Sequence, residues 1–468
     1  MSTYAGTPRT GALDTSFSGD FSASLDASRV ALDPTSVRIS QQVLTWLLFW
    51  PLLCLIARQA PYFAGPARDA ISYDQGASAG ARADYHASLY VMMAIQAAFA
   101  FAGKRKVWAT LKQNPLVLGG LLLIFISVLW TGSVTNTLHM GVEVSLCTFF
   151  ACYLSTRMTT ERLMSQLMFM GVAASVLSVF FVVALPAYGL FAGYGSSTWQ
   201  GICDHKNTLG LSMAYLLTPV FFARQFSNWK RLLYGVLVLF MIVMSQSRGA
   251  WAYTAGIFGF VGCLYLIRRF RSRESPLLSI LILVVVATAC VVAISHFAAI
   301  TSMLGKSASM SGRTGIYREV WHSIMKAPIL GYGYGSFWFI NPEAARIGYA
   351  IGWPNIGYAE SGVLELALQL GLLGVALVLF MLGRAVMQAV RLVRSPLYTP
   401  RIGWFSTILF LAALTNIDAG WLLVSSTLDW VMILIACIGL ESETRRVAVT
   451  QLYMARASVA DQPRKVIA

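Results

Sequence analysis

The chain predicts an all-α polytopic membrane protein, with about twelve transmembrane helices and a large extracytoplasmic loop between the ninth and tenth. Two observations carry this. Of its 468 residues 57% are apolar and only 12% charged, a balance that a soluble globule of this size does not show. The apolar residues also fall into repeated runs of about 17–25, each long enough to cross a hydrocarbon core as a helix.

Taken in order, the apolar runs lie near 41–58, 87–103, 115–132, 138–155, 164–185, 207–223, 232–247, 250–267, 277–297, 361–383, 402–417 and 424–440. Residues 1–40, rich in Ser, Thr, Ala and Asp without periodicity, read as a disordered tail. They lack the apolar core of a cleaved signal, so the first span also serves as the insertion signal. Residues 441–468 form the second tail, and about 298–360 the large loop. A connection this long between spans is usually functional.

The cations set the orientation. With the N-terminus inside and the spans alternating, about 25 of the 35 Lys and Arg fall on the inner side, including Lys104, Arg105, Lys106, Arg268, Arg269, Arg391 and Arg394. Both termini are therefore expected in the cytoplasm, with the large loop facing outward. The net charge of +15 follows from short loops next to anionic lipid headgroups, and no basic stripe with interleaved aromatics points to nucleic acid. Of seven cysteines only Cys203 is expected in an outer loop, which argues against a disulfide framework.

The outward cations keep specific company in three segments: Gly201-Ile202-Cys203-Asp204-His205-Lys206-Asn207, Ser245-Gln246-Ser247-Arg248-Gly249, and Gly312-Arg313-Thr314-Gly315-Ile316-Tyr317-Arg318. Arg248 runs against the positive-inside bias. It either snorkels to outer headgroups or holds an anion, for which a guanidinium offers a planar fork that stays charged. Arg313 is either a solvated turn cation or an anion contact near the N-terminus of a helix over 314–321. That helix is expected to lie on the surface, with Ile316, Val320 and Trp321 facing lipid and Arg318 on another side.

Glu360 and Glu365 stand about one and a half helical turns apart where the large loop re-enters the membrane. A partly shielded carboxylate such as Glu360 can serve as a general base, or it can simply satisfy helix N-terminal amides. His205 is either a hydrogen-bonded structural residue or a second candidate for proton transfer. Asp418 and Asp429 border spans and could pair with basic residues. The five histidines show no paired spacing, and no His/Cys cluster or acidic triplet resembles a metal site, so metal-independent chemistry without a cofactor is expected.

These residues carry a resemblance. The ordered set of Gly201 to Asn207, Ser245 to Gly249, Gly312-Arg313-Thr314, Pro328-Ile329-Leu330-Gly331-Tyr332-Gly333, and Glu360-Ser361-Gly362-Val363-Leu364-Glu365 through Gly371-Leu372-Leu373-Gly374 resembles the O-antigen ligase and polysaccharide polymerase superfamily. It is most similar to the exopolysaccharide polymerase branch, and the resemblance covers about residues 195–380.

The resemblance implies a metal-independent, GT-C-like membrane glycosyltransferase at the outer face of a bacterial inner membrane. Donor and acceptor would be glycans on undecaprenyl pyrophosphate, and flippase and chain-length regulator proteins would be its partners. Arg248 and Arg313 would hold the pyrophosphate, helped by Lys206, Asn207 and Arg318, while Tyr332, Tyr334, Trp338 and Trp353 would stack on sugars. This chain has Glu360-Ser361 where members of the superfamily commonly carry a His-Asn pair. Either Glu360 or His205 then supplies the base. The reaction is expected to be polymerisation, with ligation to lipid A–core as its nearest rival. A lipid-linked oligosaccharide transporter is the rival of another class, favoured by the span count and by Asp418 and Asp429.

Overall fold

The computed structural model describes residues 41–57, 79–191, 198–269, 313–353, 356–418, 422–423 and 427–460. The expected tail over 1–40 and the expected span over 277–297 lie outside them. Residues 41–47 carry a short helix, α1 (Gln41–Leu47), and belong to a separate compact unit. The rest of the chain forms the other unit.

That unit is built from helices: α2 (Phe49–Ala57), α3 (Ala79–Ala102), α4 (Lys104–Gln113), α5 (Pro115–Ile126), α6 (Val134–Arg157) and α7 (Thr160–Ala184) come first. After the short α8 (Pro186–Gly189), β1 (Leu190–Phe191) and β2 (Thr198–Trp199) form a two-stranded antiparallel pair, Leu190 opposite Trp199, a small departure from an all-α chain. Next come α9 (Lys206–Leu217), α10 (Pro219–Phe222), α11 (Asn228–Ser245) and α12 (Arg248–Arg269). The described part of the large loop carries α13 (Arg313–Lys326), α14 (Phe337–Ile340) and α15 (Pro342–Ala350). The chain closes with α16 (Gly362–Arg394), α17 (Pro400–Asp418) and α18 (Leu428–Ala460).

Among the described residues five helices, α6, α7, α11, α12 and α16, are long and apolar enough to cross a membrane. A sixth crossing arises if α4 and α5 count as one span bent by 98°. Their break falls at Asn114, before Pro115, whose missing N–H suits a helix start and not an interior. The single span expected over 207–223 is also interrupted. Pro219 starts α10, and the Tyr215 carbonyl accepts instead from the Thr218 amide at 3.2 Å and from its hydroxyl at 2.8 Å.

Large buried side chains tie the bundle together with their polar atoms satisfied. The buried Trp404 indole of α17 donates to Thr218 Oγ1 at 3.0 Å, and that of Trp430 in α18 donates to Thr148 Oγ1 of α6 at 3.1 Å. Helices α12 and α17 run antiparallel. Gly256 faces Leu414, Phe260 stacks on Phe410 at 4.5 Å, and Arg268 donates to the carbonyl of Ser395 at 3.0 Å while lying over the Tyr398 ring. The start of α12, at Arg248, therefore lies at the level of the end of α17.

Helix α16 is not continuous. Gly371 has φ +63° and ψ −166°, and the backbone groups released by this break are taken up by the large loop. The amides of Tyr332 and Gly333 donate to the carbonyls of Leu368 and Gln369 at 2.9 and 3.0 Å, while the amides of Leu372 and Leu373 donate to Pro328 and Ile329 at 2.8 and 3.2 Å. Only glycine fits at Gly371, since a Cβ there would lie 2.2 Å from the Ile329 carbonyl oxygen. The Gly-Tyr-Gly-Tyr-Gly run thus docks by its backbone, as irregular chain in a membrane protein must.

The loop helices have their own core, in which Ile316, Val320, Ile324, Phe337, Ile347 and Leu368 pack together. This corrects the expected lipid-facing stripe on α13. Ile316 and Val320 are buried against protein, and Trp321 is the exposed one. Cys203, expected in an outer loop, is also buried, its thiol 3.6 Å from the Ile56 carbonyl.

Candidate functional site

His205 caps the start of α9, where its Nδ1 accepts the Asn207 backbone N–H at 3.1 Å. A ring that accepts through Nδ1 carries its proton on Nε2 when neutral. The Phe191 ring of β1 and the His205 ring stand at 71° to one another with centres 4.6 Å apart, and the Lys206 ammonium lies 5.6 Å from the same Phe191 ring centre. The short strand pair therefore braces both basic residues at the head of α9.

Arg248 is the first residue of α12. The turn before it needs Gln246 in the left-handed region at φ +48°, and Ser247 Oγ accepts the Ala250 amide at 3.4 Å. Helix α9 comes close to this turn at Gly210, where a Cβ would lie 2.5 Å from Ala250 Cβ and 3.1 Å from Ser247 Cβ. The segments bearing His205 and Arg248 are thus packed together at one end of the bundle.

The end of the large loop reaches α17 through Ser361. Ser361 Oγ donates to the Asn416 carbonyl at 3.5 Å near the end of α17, the level at which α12 begins. Glu360 is in the left-handed region at φ +54°, a conformation costing about 1–3 kcal/mol in a non-glycine residue. Its carboxylate meets the guanidinium of Arg313 at 2.9 Å, both side chains largely shielded. The Tyr317 hydroxyl donates to the Glu360 carbonyl at 3.0 Å.

Just behind this pair lies a second carboxylate. The Trp338 indole N–H donates to both oxygens of buried Glu365, at 3.0 and 2.9 Å, the Ala359 amide donates at 2.9 Å, and the Gln369 side chain at 2.6 Å. Deeper still, Asp429 accepts from the Tyr215 hydroxyl and, at 3.2 Å, from the Asn416 amide. Tyr215 and Asn416 are thus two of the partners of Asp429, which was expected from sequence to pair with basic residues; the side chain of Asp418 lies outside the described residues.

The remaining candidates are dispersed. Arg318 is 73% exposed and reaches Glu319 at 3.3 Å, on a different side of α13 from the buried stripe. Tyr332 packs on Phe337 and donates its hydroxyl to the Ser323 carbonyl at 2.8 Å, and Tyr334 is buried with its hydroxyl on the Leu423 carbonyl. Trp338 is engaged by Glu365, whereas Trp353 is exposed at the loop surface. Lys326, Glu343, Arg346 and Glu319 form an ion-pair chain between α13 and α15. Arg346 holds the Glu319 carboxyl below its ordinary value, and Lys326 together with Arg346 does the same for Glu343.

Sequence reasoning passed over Tyr317, Gln369, Asn416 and Tyr215, and noted Glu365 without a role. The Glu365–Gln369 spacing of one helical turn was a usable signal. The contact from Trp338 to Glu365 crosses a loop and had none. Among the described residues no group of three His, Cys, Asp or Glu comes together.

Residues 233–379 match the family model described as O-antigen ligase. The match runs from α11 into α16 and contains Arg248, Arg313, Glu360 and Glu365. Comparison with curated proteins gave no match.

Proposed function

From the match of residues 233–379 to the O-antigen ligase family model, we propose that this chain is a polysaccharide polymerase of the bacterial inner membrane. It joins undecaprenyl-pyrophosphate-linked repeats into exopolysaccharide at the periplasmic face. About twelve spans, cytoplasmic termini and an outward site complete the proposal, supported by the apolar runs and by the distribution of cations.

The observation that carries this reading is the position of the cations on the helices. Lys206 and Arg248 are the first residues of α9 and α12, and the described part of α13 opens with Arg313; none of the three has an acid in its first turn. A cation at a helix N-terminus opposes the dipole, at a cost of about 0.3–1 kcal/mol each. A bound diphosphate offsets that cost, drawing on both the side chains and the free amides.

The Arg313–Glu360 pair supplies the chemistry. When the diphosphate engages Arg313, it displaces the carboxylate, which then accepts the proton of the acceptor sugar hydroxyl. The hydroxyl oxygen bonds to the anomeric carbon as the bond from that carbon to the pyrophosphate oxygen breaks. The electron pair leaves on the diphosphate, where Arg248 and Arg313 balance the growing charge. His205 is the second candidate base.

The name of the matching family favours a second reading, ligation to lipid A–core. Purified protein given one lipid-linked donor and each acceptor in turn separates the two. Lengthened carrier-linked glycan supports the polymerase, and glycan on lipid A–core replaces it with the ligase. Transport of labelled lipid-linked glycan across vesicles without lengthening would overturn both.

A further inference from the structure

The buried carboxylate of Glu365 accepts four hydrogen bonds, and nothing in the proposed reaction uses it. All its donors are neutral N–H groups: the Trp338 indole, the Gln369 amide and the backbone of Ala359. The last of these matters most. Ala359 immediately precedes Glu360, whose left-handed backbone is disfavoured and has to be imposed from outside.

We propose that Glu365 is a positioning residue for Glu360, fixing the Ala359 amide so that the Glu360 carboxylate turns toward Arg313. This rests on the reading of Arg313 and Glu360 as site residues. Three anchors act on the two residues Ala359 and Glu360. Glu365 holds the Ala359 amide, Tyr317 holds the Glu360 carbonyl at 3.0 Å, and Arg313 holds the Glu360 side chain at 2.9 Å. Trp338 brings the loop into the same clamp through both Glu365 oxygens, and the Gly335 amide donates to Gln369 Oε1 at 3.3 Å, so these side chains add to the backbone bonds that tie the loop to α16.

The donor pattern makes the proposal testable without changing shape. In E365Q an amide NH2 replaces one acceptor and faces other donors, so at least one buried N–H loses its partner. In the swap E365Q/Q369E, the new amide of residue 365 donates to the new carboxylate of residue 369. One oxygen of residue 365 still accepts from Trp338 and Ala359, and residue 369 still accepts from Gly335.

The first measurement does not depend on activity. In full-length E360C protein, the rates at which anionic and cationic methanethiosulfonates label the introduced thiol are compared by peptide mass spectrometry. The anionic reagent is expected to be favoured at least threefold while Glu365 is present, because Arg313 is adjacent. The preference disappears in E360C/E365Q and returns in E360C/E365Q/Q369E. An unchanged ratio in all three proteins, or no preference in any of them, overturns the positioning role.

The second measurement is chain growth. E365Q is expected to lower kcat about tenfold and to lower the donor KM, as E360Q does, and the swap is expected to recover kcat to within threefold. Adding E365Q to E360Q should cost nothing further. Losses that multiply in full would mean that Glu365 acts elsewhere, and would overturn the proposal. If the labelling behaves as expected but E360Q turns over normally, the role of Glu360 in the reaction fails while the positioning of its side chain stands.

Discussion

The guanidinium of Arg313 and the carboxylate of Glu360 pair at 2.9 Å, joining the first described residue of the large loop to nearly its last. Each belongs to a segment singled out for a different task, anion binding and proton transfer. Their pairing makes the two tasks compete for one contact, and this competition gives the first prediction.

E360Q removes a charge that competes with the diphosphate for Arg313. It is expected to lower kcat at least tenfold and also to lower the donor KM, because the contact that the diphosphate must displace is gone. Steady-state assays with varied lipid-linked donor check this. A normal kcat in E360Q would move attention to H205Q, which should then be the inactive variant.

R248A and R313A each remove a contact to developing charge. Chain growth should fall by 100-fold or more in each, with membrane expression unchanged. R313K keeps the charge but not the planar fork, and is expected to retain only a small part of the activity.

G371A places a Cβ 2.2 Å from the Ile329 carbonyl oxygen and forces alanine to φ +63°. A loss of stability of about 2 kcal/mol or more is expected, because the strain and the loop's hydrogen bonds fail together. Thermal melting in detergent reads it, and G383A, where a Cβ meets nothing within 4 Å, serves as the control.

The Glu319 and Glu343 carboxyls are held below their ordinary value of 4.5 by Arg346 and Lys326. A folded value below the unfolded one contributes stability that is fully present above about pH 4.5 and is lost as the pH falls through the depressed folded value. Limited proteolysis of the loop should therefore accelerate in acid. R346A should be cleaved faster at neutral pH and show a weaker dependence on acid.

Hydropathy made the class of the molecule legible, and charge singled out the cations of the proposed site, because both are local properties. Lys206, Arg248 and Arg313 stood out as cations on the wrong side of the bias, and each lies at the start of a described helix. The interruption after Leu217 was missed, the run over 207–223 being read as one span although Pro219 was in plain view. What could not be read were contacts between distant segments. The pairing of Arg313 with Glu360 and the burial of Ile316 and Val320 against Leu368 depend on how the loop folds back on α16. Tyr332 looked like a sugar platform, yet a Gly-Tyr run reads the same way whether its rings face ligand or its backbone seals a helix break.

The break at Gly371 also bears on how the protein is made. An apolar run such as 362–394 would enter the bilayer as one ordinary helix, but the native helix has free amides and carbonyls at its bend that only residues 328–333 satisfy. Those residues leave the ribosome first and must wait for the segment they complete. Insertion of this apolar run and docking of the loop are then a single coupled step in biogenesis, and a chain truncated before 373 would leave residues 328–333 with nothing to dock on.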